Sequence, residues 1–290
     1  MEPSDSKVTE FKQRVEQDWA GDETAAAWQK YYPQMKEQFG EVTRALVDAA
    51  APRPGMMVLD LASGTGEPAL SLARSVAPAG KVTATDLSSG MLNALKTNAA
   101  AGGITNVETK VCDAQELPFP DGRFDLVTSR FGVMFFADVP GALAEIRRVL
   151  KPGGAVAFLV WGAPAPGTYF GAAAMPFMRR LAVKPDPDGP GPMRFGEPGK
   201  LARLVEAAGF GEVQERALTL PAPYRGSPEE LLASMMEIAA PFRNAAATLS
   251  EDDQRAARQE VYDTLRTLYD GTLTKVTASV LIVTGVADRV

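Results

Sequence analysis

The sequence predicts a doubly wound α/β fold on a mostly parallel sheet, and three observations predict it. Short apolar runs alternate with helical segments from about residue 57 onward. Several of those runs close on a polar residue, namely Asp60, Asp86, Asp113 and Ser129. The first run feeds a glycine turn, Ala62-Ser63-Gly64-Thr65-Gly66, that opens an alanine-rich helix.

Residues 7–48 read as helices. Val8, Phe11, Val15 and Trp19 repeat at helical spacing, and Trp28, Tyr32, Met35 and Phe39 follow. Pro52-Arg53-Pro54-Gly55 stops the pattern. Trp28, Tyr31 and Tyr32 have two roles open to them here: packing this segment onto the domain, or closing over a ligand.

Strands are expected at 58–61, 81–86, 107–111, 124–129 and 155–160. Helices are expected at 69–74, at 89–101 before Gly102-Gly103, and at 142–150 before Lys151-Pro152-Gly153-Gly154. After Trp161 the chain turns rich in Pro and Gly, with Met175, Phe177 and Met178 interleaved. A helix at 201–208 and a strand at 212–220 return to the alternating pattern, 228–268 is long and helical, and 276–283 is a last strand. The expected organisation is a helical cap over residues 1–50 and a ligand-binding domain over 51–290, with insertions at about 163–198 and 226–272. The crevice beyond the carboxyl ends of the strands is where a ligand belongs.

With 290 residues, 46% apolar and 23% charged, the chain can bury a large core. A net charge of −6 leaves no basic excess for a general nucleic-acid partner. Its single cysteine, Cys112, forms no internal disulfide and fits a reducing compartment. The apolar runs at 155–161 and 279–286 are too short to span a bilayer, and the N-terminal residues lack a secretory pattern. A cytoplasmic enzyme without stable membrane insertion is the expectation. The chain has no histidine, so imidazole bases, Ser-His-Asp triads and His-ligated metals are excluded, and no metal site is expected.

The glycine turn alone is weakly specific. Gly64-Thr65-Gly66-Glu67-Pro68-Ala69 fits the dinucleotide pattern, and Asp86 lies twenty residues past Gly66, where a ribose-binding acid belongs. Turn and acid together specify an adenosine with free ribose hydroxyls, which leaves NAD and S-adenosylmethionine both open. Asp60 favours the second, because a carboxylate suits a cationic ligand better than a pyrophosphate. Asp113 suits an adenine amino group, or alternatively caps a helix with Glu116 in a capping box.

Several ordered motifs now combine. The 58–66 run, Asp86-Leu87-Ser88-Ser89-Gly90-Met91-Leu92, Asp113-Ala114-Gln115-Glu116-Leu117-Pro118-Phe119, Phe124-Asp125-Leu126-Val127 and Glu145-Ile146-Arg147-Arg148-Val149-Leu150-Lys151-Pro152-Gly153-Gly154 together resemble the class I S-adenosylmethionine-dependent methyltransferases. Within that superfamily the chain is similar to the small-molecule branch that includes the ubiquinone/menaquinone-biosynthesis C-methyltransferases. The resemblance covers 56–162 strongly, and 197–220 and 276–290 more loosely. Ala62 departs from it, since the first motif usually has glycine there.

The resemblance implies a Rossmann-like, seven-stranded sheet whose last strand is antiparallel, between strands five and six. It also implies roles by position. Asp60, Ala62, Ser63, Gly64 and Gly66 would line the methionine and ribose side of S-adenosylmethionine. Asp86 would hold the ribose hydroxyls, with Leu87 and Met91 against the adenine. Asp113, Ala114 and Gln115 would meet the adenine edge, and Ser129, Arg130 and Phe131 would pass near the methionine carboxylate and sulfonium. For Arg130 a solvent-facing or structural ion pair is the competing role.

Methyl transfer to an already nucleophilic acceptor needs positioning more than acid–base chemistry. Ser129-Arg130-Phe131-Gly132 stands where base-modifying methyltransferases carry (Asn/Asp)-Pro-Pro-(Tyr/Phe), which argues against a nucleic-acid substrate. The expected partner is a small, apolar or aromatic methyl acceptor, with Trp28, Tyr32, Trp161 and Tyr169 as candidate pocket residues. Two alternatives stand beside this one. An NAD-dependent oxidoreductase would need a Tyr-x-x-x-Lys pair, and the only such spacing among the tyrosines, Tyr32 and Lys36, falls in the N-terminal helices. A non-catalytic protein that binds S-adenosylmethionine would share every motif above.

Overall fold

The computed structural model describes residues 5–288, and the side chain of Asp5 lies outside that description. Three helices come first: α1 (Asp5–Trp19), α2 (Asp22–Gln38) and α3 (Gly40–Ala50). The alternating core follows with β1 (Met57–Leu61), α4 (Ala69–Val76), β2 (Lys81–Asp86), α5 (Ser89–Ala101), β3 (Val107–Val111), β4 (Phe124–Arg130), α6 (Val139–Val149) and β5 (Leu150–Trp161). Two short helices, α7 (Tyr169–Ala173) and α8 (Met175–Met178), occupy the first insertion. Then come α9 (Lys200–Ala207), β6 (Phe210–Pro221), β7 (Tyr224–Arg225), α10 (Pro228–Ile238), α11 (Ala240–Ala247), α12 (Glu251–Thr267), β8 (Leu273–Thr274) and β9 (Thr277–Ala287).

The seven-stranded sheet runs β3-β2-β1-β4-β5-β9-β6. Strands β1 to β5 pair in parallel, and β9 lies antiparallel between β5 and β6. This is the Rossmann-like arrangement expected from the motifs. From β1 the chain winds outward through β2 and β3, then returns to place β4 on the other side of β1. The crevice therefore opens at the carboxyl ends of β1 and β4, the switch point of the sheet.

The central strands are covered on both faces, as parallel strands are. Val58, Leu59 and Leu61 of β1 are fully buried, as are Val82 and Ala84 of β2. Amphipathic helices supply the cover: Val42 and Leu46 of α3, and Ala142, Leu143, Ile146 and Val149 of α6, are buried at helical spacing. The edge strands β3 and β6 alternate instead and carry charges such as Glu108, Lys110 and Arg216, which suits an unpaired edge.

Two expectations change in detail. The 228–268 stretch is three helices rather than one, interrupted at Ala239 and again at 248–250. Ser227 and Ser250 each cap a new start, and Pro241 occupies the first turn of α11. The second insertion is also closed by a two-stranded ribbon, β7 with β8, whose two-residue strands leave no periodicity to read. The insertions pack on each other through α8 with α11 and α12, while α10 meets α2 and α11 meets α1. One helical body thus forms from three separate parts of the sequence. In contrast, α3 lies directly against β4, β5, β6 and β9.

Candidate cofactor and acceptor site

The turn after β1 is held from several sides. Ser63 N–H donates to Thr85 O at 2.8 Å and its hydroxyl to Asp60 O at 2.9 Å. Asn98 of α5 donates to Thr65 O at 2.8 Å. Asp86, at the end of β2, accepts Gly64 N–H on Oδ2 and Ser88 N–H on Oδ1, both at 2.9 Å. One carboxylate therefore fixes both the glycine turn and the start of α5, where Ser88 caps Met91 N–H. Loss of solvation raises the Asp86 carboxyl, against the pull of these backbone donors.

A tight approach sets the residue types. Gly66 has φ +133°, and a Cβ there would come within 2.7 Å of Leu70 Cδ1, so its smallness serves helix packing. At Gly132 a Cβ would meet Ser129 Oγ at 2.5 Å and Ala62 Cβ at 2.6 Å. Ala62 itself sits in the left-handed region at φ 53°, and so does Phe131 at φ 62°. A side chain in that region costs about 1–2 kcal/mol. Replacing Ala62 by glycine is therefore expected to raise stability by about 1 kcal/mol, or about 2 °C in Tm. A thermal melt checks this, and an unchanged or lower Tm would show that the turn carries no such strain.

The third strand end does not form the capping box that was the alternative role for Asp113. No helix follows Asp113. Its carboxylate accepts the backbone and side-chain N–H groups of Gln115 at 2.9 and 2.8 Å, and pairs with Lys12 of α1 at 3.2 Å. Gln115 in turn accepts Asp138 N–H at 2.6 Å. The Glu145…Arg148 motif of α6 anchors the same loop. Glu145 accepts Leu117 N–H at 2.9 Å, and Arg148 donates to Leu117 O at 2.9 Å and Phe119 O at 2.8 Å. Motifs far apart in sequence thus hold one loop in place.

These elements enclose a largely apolar cavity of about 220 Å³. Among the sequence candidates its wall includes Ala62, Ser63 and Gly64 of the turn, Asp86, Leu87 and Met91 of the second motif, and Asp113, Ala114 and Gln115 of the third. Arg130, Phe131, Trp28, Trp161 and Tyr169 also reach it. Asp60, Gly66, Ser129 and Tyr32 do not. Asp60 is fully buried and accepts the Thr128 hydroxyl at 2.7 Å from the facing position of β4. Burial pushes its carboxyl up to about 7, against the Thr128 bond. The Ser129 hydroxyl is spent on Leu61 O at 3.0 Å. Tyr32 lies behind the wall, its phenol pushed up to about 12 by burial and by the Glu67 charge. The Tyr32…Lys36 spacing therefore sits on α2, with its tyrosine outside the cavity.

A charged end and an aromatic end can be distinguished. At the charged end Glu67, 7% exposed, accepts the Ser71 hydroxyl at 2.6 Å, with Lys36 at 3.9 Å. Arg130 donates to the Thr43 hydroxyl at 2.6 Å, and desolvation lowers its guanidinium, opposed by the Glu67 and Asp60 charges. Glu67 Oε1 and Arg130 Nε are buried without hydrogen-bond partners. Arg130 is therefore neither solvent-facing nor held in a salt bridge among the described residues. At the aromatic end Phe131 stacks on Trp161 at 4.0 Å, and Trp161 lies nearly parallel to Tyr169 at 6.0 Å. Phe39 meets all three rings edge-on.

Sequence reasoning missed Glu67, Trp19 and Phe39 as wall residues, and Met235 and Phe242 of the second insertion also reach the wall. Glu67 lies inside the glycine pattern and was legible there. The others read as ordinary core periodicity, and only the folded chain brings them together. Among the described residues no helix is long and apolar enough to cross a membrane.

The model of the ubiE/COQ5 methyltransferase family matches residues 37–186, just over half of the chain. The ubiquinone/menaquinone biosynthesis C-methyltransferase UbiE of Bordetella avium is 47% identical over 102 residues, which is 35% of this chain and 40% of that protein. The UbiE of Cupriavidus metallidurans is 36% identical over 178 residues, covering 58% of this chain and 72% of that protein. Matches to the curated relatives thus run from 40% to 72% of their length in these two cases. In fold, the YcgJ protein from Bacillus subtilis superposes with a TM-score of 0.57 over 86% of this chain and 99% of that one, at 20% identity. Sequence match and sheet order agree, and the chain belongs to the ubiE/COQ5 methyltransferase family.

Proposed function

We propose that this chain transfers the methyl group of S-adenosylmethionine to a small, apolar or aromatic acceptor. One observation carries the reading: a single cavity joins the Gly64–Asp86 and Asp113–Gln115 constellation to an aromatic wall of Phe131, Trp161 and Tyr169. The residues present fit the cofactor. Glycine at 64 leaves its backbone open to close approach, and at one end Arg130 Nε and Glu67 Oε1 are buried without hydrogen bonds, the latter with only Lys36 at 3.9 Å. S-adenosylmethionine, when bound, supplies an electrophilic methyl on a sulfonium.

The rest of the chemistry is the chain's own. Asp86 accepts the ribose hydroxyls, and Asp113 with Gln115 meets the adenine edge beside Leu87, Met91 and Ala114. The turn at Ala62, Ser63 and Gly64 carries the methionine side, with Arg130 and Phe131 beyond it. The buried wall excludes water and orients the acceptor, a positioning effect worth roughly 7–11 kcal/mol in favourable systems. No histidine is available, so the acceptor is one that needs no imidazole base. In this reading residues 1–50 act as a cap through α1 and α2, over the domain of 51–290. The acidic balance of −6 supports the absence of a nucleic-acid partner, and the single cysteine supports a reducing, cytoplasmic setting.

Calorimetry with S-adenosylhomocysteine is expected to show binding to the wild-type chain. Incubation of phenols, quinols and amines with S-adenosylmethionine is expected to yield a product heavier by one methyl group. Absence of cofactor binding would overturn the reading. Tight binding with no product across the panel would favour a non-catalytic binder.

A further inference from the structure

Helix α1 turns one face toward the cavity. Lys12, Val15, Glu16 and Trp19, spaced i, i+3, i+4 and i+7, all reach its wall. Lys12 and Glu16 reach solvent as well, so this face forms part of the rim. The loop after β3 meets it there: Lys12 Nζ pairs with Asp113 Oδ2 at 3.2 Å, and Asp113 also lines the cavity. One ion pair thus ties the N-terminal cap to the carboxylate assigned above to the adenine edge.

The rest of α1 is held shallowly. Phe11, seated beside Gly189, is its one buried side chain among the described residues, whereas α3 buries Val42, Thr43, Leu46 and Ala50. Its other holds include surface contacts: Lys7 with Asp186 at 2.8 Å, Arg14 donating to Pro190 O at 2.9 Å, and Asn244 of α11 donating to Asp18 at 3.2 Å. Exposed contacts of this kind contribute little each, so such a helix opens at far lower cost than the core. We propose that α1 is a lid on the cavity, that the Lys12–Asp113 pair is its latch, and that the cofactor enters and leaves when the latch opens. The proposal rests on the methyltransferase reading for the identity of the ligand and goes beyond it. The same movement carries Val15 and Trp19 out of the wall, so the acceptor pocket is complete only with the lid shut.

Two measurements on the full chain test this. In the ligand-free protein, hydrogen exchange at α1 amides is expected to run about ten-fold or more faster than at α3, and S-adenosylhomocysteine is expected to slow α1 by a similar factor. Stopped-flow binding of S-adenosylhomocysteine, read by the fluorescence of Trp19 and Trp28 in the wall, tests the latch itself. Lys12→Met keeps the apolar stem and removes the charge. It is expected to raise the association and dissociation rates together by about three-fold, the worth of an exposed ion pair, with Kd unchanged. A lysine that only held the ligand would raise dissociation alone. The proposal is overturned if K12M changes neither rate, if it changes dissociation alone, or if α1 exchanges as slowly as α3. If wild type fails to bind S-adenosylhomocysteine, it is the methyltransferase reading that falls, and the exchange contrast between α1 and α3 still judges the lid.

Discussion

Asp86→Ala is expected to weaken S-adenosylmethionine and S-adenosylhomocysteine binding by ten-fold or more. Two losses add in one substitution. The proposed ribose acceptor disappears, at about 1.5–3 kcal/mol for a charge-assisted hydrogen bond. The brace between Gly64 N–H and Ser88 N–H disappears with it, so the turn and the start of α5 lose their common partner. Asp86→Asn separates the two, because an amide oxygen still accepts one backbone N–H while the charge is gone, and its affinity should fall between the other two. Calorimetry of the three proteins decides the matter. A change below three-fold in Asp86→Ala would mean that the cofactor does not lean on this carboxylate.

The second large effect is a pH dependence of stability centred on Asp60. Its folded carboxyl is pushed from the ordinary 3.8 up to about 7, chiefly by full burial. Between those two values the unfolded chain has lost the proton and the folded chain still holds it. The contribution to stability is therefore present below the ordinary carboxylate range and falls as pH rises toward 7, where it levels off. The slope is about 1.4 kcal/mol per pH unit within the window. Asp60→Asn keeps an oxygen for the Thr128 hydroxyl and carries no charge, so its stability relative to wild type is expected to grow by a few kcal/mol from pH 4 to pH 8. Urea midpoints at several pH values measure this directly. Parallel pH profiles for the two proteins would show that Asp60 is ionised in the folded chain throughout.

The core sheet was legible because its signals are local. Helix α5 spans 89–101 as expected, since Ser88 caps one end and Gly102 takes the other. Strands β2 and β3 likewise match their apolar runs. Strand β5 begins at Leu150 rather than near 155, because Leu150 already pairs with Phe124, and Lys151-Pro152-Gly153-Gly154 forms an irregular step before Ala155 pairs with Leu126. The facing of Asp60 was not legible, since β1 is apolar on both sides and offers no alternation to read. At the site, Asp86 and Gly64 were readable from spacing. Trp19, Phe39 and Phe242 were not, because each joins the wall only when helices distant in sequence pack together. Trp28 shows the scale of that separation: its indole N–H donates to Ile238 O at 2.7 Å across the whole body of the chain.

The position of β9 has a consequence for how the protein is made. Strand β6 pairs with β9 alone, and β9 also completes β5. A ribosome delivers residues in order, at about 5–20 per second. Strands β1 to β5 can pair as they emerge, but β6 must then wait, through all of α10 to α12, for residues 277–287 before it has a strand to pair with. During that interval β5 and β6 both offer open edges, the kind of surface that other chains recruit. The nascent protein is therefore most exposed to mispairing during synthesis of the second insertion, and β9 ends that exposure for both strands at once.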